Sequence, residues 1–482
     1  MDFNSIQSPL PERKLPRQSV EVEEGKQATT TPTERTNLTG DQNIAPIPPI
    51  QTPPPGSTPP TVTEPPKTIK KDNKLPLILG GIGAGAAALI LFLLVILPKL
   101  GGGAKKVTTI NYWGLWEDPT IIQGLIADYE AKNPEIKINY RTSSKTDYRT
   151  RLLGRLSKDP TAEEVPDIYR IHATWLPNFQ DQLAPVPQDV AQTLQLDSDY
   201  YSVYKTDLKQ NGQYMAIPLM YDGLALFYNQ GLIQNGNVEL PKSWWDLEQA
   251  ANKLTVRDSN GKITVSGAGL GLVDNIDHWS DIVGLMLKQS GADIFKNDDA
   301  TNSKIQNVLA YYSLFYTKYK LYDQSLPRST ELFANGKLAF YFAPSWRVFD
   351  IEAGKPADMK FGVASVPQLT TASSVPAEQA NNTANLTNIQ WASYWVEGVN
   401  VKSTKQKEAW KFLEYLASQE GLEKLYTAAS QVRSFGEIYP RKSMASKLSN
   451  NDYIKPFLLG ADNASSGYLS SMTHDLGIND DM

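Results

Sequence analysis

The chain has 482 residues, which is long enough for two or three domains, and a formal net charge of −5 that excludes the strongly basic surface of a general nucleic-acid-binding protein. It contains no cysteine, so disulfides, zinc–thiolate sites, cysteine nucleophiles and a lipid-modified cysteine anchor are excluded. Its three histidines, His172, His278 and His474, show no metal-binding spacing, and the motifs G-x-S-x-G and H-E-x-x-H are absent. We therefore expect a protein that needs no metal or cofactor and is not an enzyme of these classes.

Residues 1–74 form a proline-rich segment of low complexity. They hold 14 of the 32 prolines in the chain and neither Trp nor Tyr. A segment of this composition buries too little apolar surface to offset the entropy that the chain loses on folding. The sequence therefore predicts a disordered tail over 1–74.

An uncharged apolar run follows at Leu77–Leu97. At a helical rise of about 1.5 Å per residue it spans about 31 Å, which matches the hydrocarbon thickness of a bilayer. The run begins too far into the chain and is too long for a cleaved signal peptide. The sequence predicts a retained transmembrane helix over 75–98, followed by a flexible joint over 99–106. Four flanking lysines before the run and three after it favour a cytoplasmic N-terminus only weakly.

Residues 107–482 have the composition of a folded domain, and they hold every Trp and Tyr of the chain. Hydrophobic periodicity predicts alternating strands and helices at the start of this domain. A βαβαβ order of this kind indicates an α/β fold with a parallel sheet, whose ligands lie beyond the carboxyl ends of the strands. The predicted elements are a strand at 107–113, a helix at 119–134, a strand at 135–141, a helix at 148–156 and a strand at 166–172.

Two of the predicted helices have clear start signals in the sequence. Asp118 precedes Pro119, which combines an N-cap residue with a proline in the first turn. Ser243 is followed three positions later by Asp246, which has the spacing of a capping box. The Ser/Thr/Asn/Ala-rich stretch at 370–388 instead predicts a mobile loop.

Six segments, in this order, resemble the sugar-binding family of extracellular solute-binding proteins of ABC importers that includes maltose-binding protein. The likeness covers most of residues 107–445. Each segment alone is a modest signal, and their shared order makes the resemblance specific. The segments are the first strand with its YW and acidic turn, EVPDIYRIHATWLPNFQDQLAPV, NGQYMAIPLMYDGLALFYNQGLI, LPKSWWDLEQAANKLT, LFANGKLAFYFAPSW and VEGVNVKSTKQKEAWKFLEYLASQEGLEKL.

The resemblance implies a periplasmic-binding-protein-like α/β fold with two discontinuous lobes that close around a ligand. We expect the first lobe to comprise about 107–220 and 335–395, and the second lobe about 223–334 and 396–482. The first crossing between the lobes is expected near Met220–Leu226.

A sugar presents apolar ring faces and polar hydroxyl edges, so its site needs aromatic rings together with amides, carboxylates or Arg. A Trp at a strand end can equally be a core residue, and Asp222 can equally serve the hinge. Trp244, Trp245 and Trp410 lie at apolar helical spacing and are expected to serve packing. By position within the family motifs, the expected ligand-binding residues are Trp113, Trp116, Glu117, His172, Thr174, Trp175, Asp222, His278, Trp279, Trp346, Arg347, Tyr394, Trp395 and Arg433.

The function implied is that of a membrane-tethered receptor that captures a carbohydrate-like solute and delivers it to an ABC importer permease. Such a receptor faces the outside of the cell, so the N-terminal tail is expected in the cytoplasm and the domain on the extracytoplasmic side. The helix at Leu77–Leu97 replaces the lipidated cysteine that relatives use. Two alternatives stay open, a sensory or adhesive surface receptor with the same fold, and a glycosidase that uses paired carboxylates.

Overall fold

The structure is a computed structural model that describes residues 107–370 and 386–470. The predicted tail, the run at Leu77–Leu97 and the joint lie outside the described residues, as does most of the predicted loop at 370–388. No helix within the described ranges is long and apolar enough to cross a membrane.

The first part of the domain alternates strands and helices as its periodicity predicts. The side chain of Asp118 accepts a hydrogen bond from the backbone N–H of Thr120 at 2.9 Å, and Pro119 opens the first helix. The elements are β1 (Thr108–Leu115), α1 (Pro119–Lys132), β2 (Ile136–Ser143), α2 (Tyr148–Leu156), β3 (Ile168–His172), α3 (Leu176–Phe179), α4 (Gln188–Thr193), α5 (Ser202–Leu208), β4 (Lys209–Gln210) and β5 (Gln213–Tyr214).

The middle part builds a second sheet with its own helices. Ser243 and Asp246 form the predicted capping box, in which each side chain bonds the backbone N–H of the other residue. The elements are β6 (Ala225–Asn229), α6 (Gln230–Gly236), α7 (Trp244–Leu254), β7 (Val256–Arg257), β8 (Ile263–Ala268), α8 (Trp279–Ser290), α9 (Asp299–Thr317), α10 (Ser329–Ala334), β9 (Leu338–Ala343), α11 (Arg347–Gly354) and β10 (Phe361–Ala364).

The last part returns to the first sheet. It contains two consecutive amphipathic helices. Phe412 of the first of them packs against Tyr129 of α1, with the ring centroids 5.0 Å apart. The elements are β11 (Gln390–Trp391), β12 (Trp395–Val399), α12 (Gln406–Leu416), α13 (Gln419–Ala429), α14 (Lys455–Leu459) and β13 (Ala464–Ser465).

Each lobe is organised around one sheet. The first sheet has the order β12–β3–β1–β2, in which β1 pairs in parallel with both β2 and β3, and β12 is antiparallel to β3. The second sheet has the order β10–β6–β9–β8–β7, in which β6 is antiparallel to its two neighbours and β8 is parallel to β9. The mixed α/β class predicted from the sequence is therefore observed, with one sheet in each lobe.

The expected division of the later chain between the lobes is wrong. Residues 338–343 and 361–364, assigned above to the first lobe, are β9 and β10 of the second sheet. Residues 396–399, assigned above to the second lobe, belong to β12, which pairs with β3 in the first sheet. Pairing between segments far apart in the chain decides which sheet receives each of these strands, and local sequence patterns do not specify that pairing.

The lobes are joined by segments that lie side by side. Isolated bridges connect Tyr221 with Ile438 and Gly223 with Ala392. A side chain at Gly223 would place its Cβ 2.2 Å from the carbonyl oxygen of Trp391, so this close approach of two backbones requires glycine.

Candidate binding cleft

A cavity of about 460 Å³ lies between the two lobes, beyond the carboxyl ends of β1, β3 and β9. Its size falls in the range of small-molecule sites, about 300–1,000 Å³. Nine of the fourteen residues predicted from the sequence line it, namely Trp116, His172, Trp175, Asp222, His278, Trp346, Arg347, Trp395 and Arg433.

The first lobe contributes a cluster of aromatic rings to the cavity wall. The indole of Trp395, at the start of β12, lies at its centre. Its ring centroid is 4.9 Å from that of Trp116, 5.2 Å from that of Trp175 and 5.1 Å from that of His172, each with an edge-to-face arrangement. Edge-to-face packing fixes the orientation of each ring, so the cluster is a rigid apolar surface.

Trp116 reaches the cavity through a turn that is unusual for its residue type. It follows the last residue of β1 with a φ of 41°, in the left-handed region that costs an L-residue about 1–2 kcal/mol. This conformation turns the chain sharply at the end of the strand. The strain is therefore stored where the indole enters the wall, as is common at functional sites.

A buried ion-pair cluster packs against the ring of Trp116. Arg170 of β3 contacts Glu117, donates from Nε to Oε1 of Glu397 at 2.6 Å, and holds its guanidinium 5.2 Å from the Trp116 ring centroid. Burial raises the pKa of Glu397, and the neighbouring Arg170 opposes that rise. A buried cation of this kind is stable only while its carboxylates remain in place.

The second lobe contributes Trp346 and Arg347, which follow β9 and begin α11. Trp346 is 38 % exposed, and the guanidinium of Arg347 lies 4.2 Å from its ring centroid. Arg347 also pairs with Asp350 at 2.8 Å. This wall is more open and more polar than the aromatic cluster opposite.

His278 is held neutral behind Trp346. Its Nε2 accepts a hydrogen bond from Nε of Arg347 at 3.1 Å, so the proton is assigned to Nδ1, which faces Asp281 at 3.4 Å. Burial lowers the pKa of His278, although the carboxylate of Asp281 works in the opposite direction. His278 also adopts a φ of 62° at the residue before α8.

Asp222 links the crossing segment to the second lobe. Its carboxylate accepts hydrogen bonds from the backbone N–H of Gly223 at 2.8 Å and from the N–H and hydroxyl of Ser345 at 3.0 and 2.9 Å. Burial raises the pKa of Asp222 to about 7, because these neutral donors only partly offset the loss of water. Asp222 thus lines the cavity and also bonds the crossing segment to the second lobe.

His172 forms part of the cavity floor. Burial lowers its pKa to about 3, so the imidazole is neutral near pH 7. Its Nδ1 lies 2.7 Å from the hydroxyl of Thr174, and its Nε2 lies 3.3 Å from that of Ser393. Thr174 therefore orients His172 and does not line the cavity itself.

The other four predicted residues do not line the cavity either. Trp113 is buried on β1 with the guanidinium of Arg141 5.5 Å from its ring, and Trp279 packs half-buried against the core at the start of α8. Tyr394 is buried and donates its hydroxyl to Asp207 at 2.6 Å. Glu117 follows Trp116 but points to Arg170. Trp279, Tyr394 and Glu117 are each next to a cavity residue in sequence, but their side chains do not line the cavity.

Lys145 is the most informative cavity residue that the sequence reasoning missed. It lies in the loop after β2, and its ammonium reaches the rings of Trp116 and Trp346. The rule that ligands lie beyond the carboxyl ends of parallel strands applies to β2 as it does to β1 and β3. That rule, extended to β2, was the signal that could have found Lys145.

No group of three or more His, Asp or Glu side chains within 107–370 and 386–470 is placed to hold a metal ion. The chemistry that this cavity offers is stacking against indole rings and hydrogen bonding to a carboxylate, imidazoles and guanidinium groups. Such a set suits recognition of a small solute with apolar faces and hydroxyl edges.

Residues 124–447 match the family described as bacterial extracellular solute-binding protein. The match covers more than half of the chain, so the chain belongs to this family.

Solved structures of sugar-binding proteins share the fold at low sequence identity. A cyclo/maltodextrin-binding protein in complex with maltotetraose is 17 % identical with a TM-score of 0.57, over 76 % of this chain and 88 % of that one. The sugar-binding protein MalE from Xanthomonas citri is 19 % identical with a TM-score of 0.58, over 76 % and 90 %. An ABC substrate-binding protein from Listeria monocytogenes in complex with cycloalternan is 18 % identical with a TM-score of 0.54, over 75 % and 88 %.

Proposed function

We propose that this chain is the saccharide-binding receptor of an ABC importer. The observation that carries the proposal is the gathering of four indoles from two lobes, Trp116, Trp175, Trp346 and Trp395, around one interlobe cavity. Indole faces suit the C–H faces of pyranose rings, and Asp222 supplies an acceptor or donor for hydroxyls. The structural relatives in complex with maltotetraose and cycloalternan support a saccharide as the solute.

The binding experiment is titration calorimetry of the full-length chain, in detergent, against mono- and oligosaccharides, with polyols and short peptides as controls. We expect at least one saccharide to bind at a single site. Trp346→Ala should weaken that binding, whereas Trp245→Ala, which removes a half-buried indole from α7 outside the cavity, should leave it unchanged. Failure of every saccharide to bind a folded protein would contradict the proposal.

The receptor is proposed to bind its solute without chemical change. The support is membership of a solute-binding family together with the ring-rich wall. Incubation of the protein with the saccharides that it binds, followed by chromatography of the products, tests this point. Any hydrolysis or transfer would instead favour the glycosidase alternative.

Membrane tethering and delivery to a permease are the further parts of the proposal. The support is the apolar run at Leu77–Leu97 and the family of the chain. The proline-rich tail is placed in the cytoplasm and the binding domain on the extracytoplasmic side. Protease treatment of intact cells should remove the domain and spare the tail, and deletion of 77–97 should release the protein from the membrane fraction. Protection of the domain in intact cells would refute this orientation.

Transport is preferred to a sensory or adhesive role because an ABC substrate-binding protein is among the structural relatives. The test is uptake of the identified saccharide by cells that lack this chain. Loss of uptake supports delivery to a permease, and unchanged uptake with altered gene expression would favour sensing.

A further inference from the structure

Lys145 projects its ammonium into the space between the lobes. Its Nζ lies 5.0 Å from the ring centroid of Trp116 and 5.9 Å from that of Trp346. Trp116 belongs to the first lobe and Trp346 to the second. The charge therefore lies over the indole rings of both lobes, in the space that a ligand would enter.

The other charged groups of the cavity wall already have partners in the protein. Arg347 pairs with Asp350 at 2.8 Å, and Arg433 pairs with Glu437 at 2.7 Å.

The buried carboxylates of the wall are satisfied as well. Asp222 accepts from Ser345, and Asp281 accepts from the indole N–H of Trp391 at 2.8 Å. By contrast, no carboxylate within the described ranges lies at ion-pair distance from Lys145, so this lysine is the unpaired cation of the wall.

The loop that carries Lys145 is held in place on both sides of the residue. The guanidinium of Arg151 donates to the carbonyl oxygens of Ser144 and Thr146, the latter at 3.2 Å. The backbone N–H of Thr146 also donates to the hydroxyl of Ser144 at 3.2 Å. A backbone fixed in this way reduces the ordering entropy that ligand binding must overcome.

The electrostatic setting disfavours an ammonium without an anion. Desolvation in the cleft lowers the pKa of Lys145, and the nearby positive charge of Arg347 lowers it further, whereas the carboxylate of Asp350 opposes these two effects only in part. Hydroxyls of a neutral sugar can accept a hydrogen bond from Lys145 but cannot neutralise its charge. A ligand carboxylate can do both, and its attraction grows as the cleft loses water.

We propose that the saccharide bound in this cleft carries a carboxylate, as a uronic acid oligosaccharide does, and that Lys145 binds that carboxylate. The inference rests on the proposed saccharide-binding function and specifies the class of ligand. A uronate carboxylate lies at the edge of its pyranose ring, so the ring faces stack on the indoles while the edge reaches Lys145. Arg347 adds long-range attraction from the second lobe.

The test is calorimetry of the full-length chain in detergent with oligogalacturonates, oligoglucuronates and oligomannuronates, each beside the neutral oligosaccharide of the same linkage. We expect one acidic oligosaccharide to bind about tenfold or more tightly than its neutral counterpart. Lys145→Met should abolish most of that preference, so that the acidic oligosaccharide and its neutral counterpart bind with similar affinity. Lys145→Arg should keep the preference, because the charge is retained.

The matched control is Lys411→Met on α12, an exposed lysine that does not line the cavity. It should alter neither affinity. Circular dichroism of each variant verifies that the fold is retained.

A neutral saccharide that binds as tightly as its acidic counterpart, or a preference that survives in Lys145→Met, would overturn the inference but leave the proposed function intact. Failure of both classes to bind the folded protein would overturn the two proposals together.

Discussion

The two walls of the cleft differ in how firmly their rings are held. In the first lobe Trp175 is buried and Trp395 contacts three other rings, with Arg170 and its two carboxylates behind them. In the second lobe Trp346 is more than a third exposed and is covered on one side by Arg347. The first lobe therefore presents a firmly packed ring surface, which we call the platform, whereas the ring of the second lobe is more loosely held.

The largest expected effect is on the stability of the first lobe. Arg170→Met should lower the free energy of unfolding by about 3–5 kcal/mol, because it leaves Glu117 and Glu397 without their buried cation. Thermal unfolding of the full-length variant measures the loss. The control Arg155→Met removes an exposed pair with Glu164 and should cost less than about 1 kcal/mol. Equal shifts for the two variants would mean that the platform does not depend on this cluster.

The second prediction compares one indole from each wall. Trp395→Ala should weaken saccharide binding by about 2 kcal/mol, roughly thirtyfold in Kd, because it removes the centre of the ring cluster. Trp346→Ala should cost about 1 kcal/mol, since its ring is already partly hydrated. Calorimetry with the tightest-binding saccharide measures both. The reverse order would show that the second lobe carries the main binding surface.

The third prediction concerns pH and the hinge carboxylate that joins the walls. The pKa of Asp222 is about 7 in the fold, compared with an ordinary value near 4, so between these limits the folded state holds a proton that the unfolded state has released. The stability contributed by this proton is present at low pH and is lost as pH rises to 7.

Asp222→Asn, which keeps a neutral side chain at every pH, should therefore gain stability relative to the natural protein as pH rises from 4.5 to 8. Unfolding midpoints across this range measure the difference.

Burial of His172 has the opposite effect on stability, because its pKa of about 3 makes the fold lose stability as pH falls below about 6.5. The natural protein and Asp222→Asn both contain His172, so its contribution cancels in the difference between their stabilities. A difference that does not change with pH would contradict the assignment to Asp222.

The smallest effect is expected for the arginine of the second wall. Arg347→Met removes an ion pair whose partner, Asp350, is 48 % exposed, and it removes one hydrogen bond to His278. We expect a loss of about 1 kcal/mol in unfolding free energy, well below that of Arg170→Met. A loss as large as that of Arg170→Met would remove the distinction between the two walls.

Local features of the fold follow closely from the sequence. The helix predicted at 148–156 has those bounds, and the caps at Asp118 and Ser243 form as expected. Periodicity and capping depend on residues within a few positions of each other, so they can be read without knowledge of the rest of the chain.

The candidate site was predictable in part for a related reason. Strand ends in a parallel sheet meet at one edge, and this rule placed Trp116, His172 and Trp175 at the cavity. The same rule does not specify side-chain direction, which explains why Trp113 and Tyr394 are core residues. Direction depends on the exact residue at which each strand ends and on what covers its faces.

By itself, the sequence determined the α/β class, most of the local elements and the family to which the chain belongs. Only the tertiary structure decided that β9 and β10 join the second sheet, that β12 returns to the first, and that Lys145 faces two tryptophans from opposite lobes. The physical reason is that local patterns specify the type of an element, whereas strand pairing and side-chain contact depend on residues far apart in the chain.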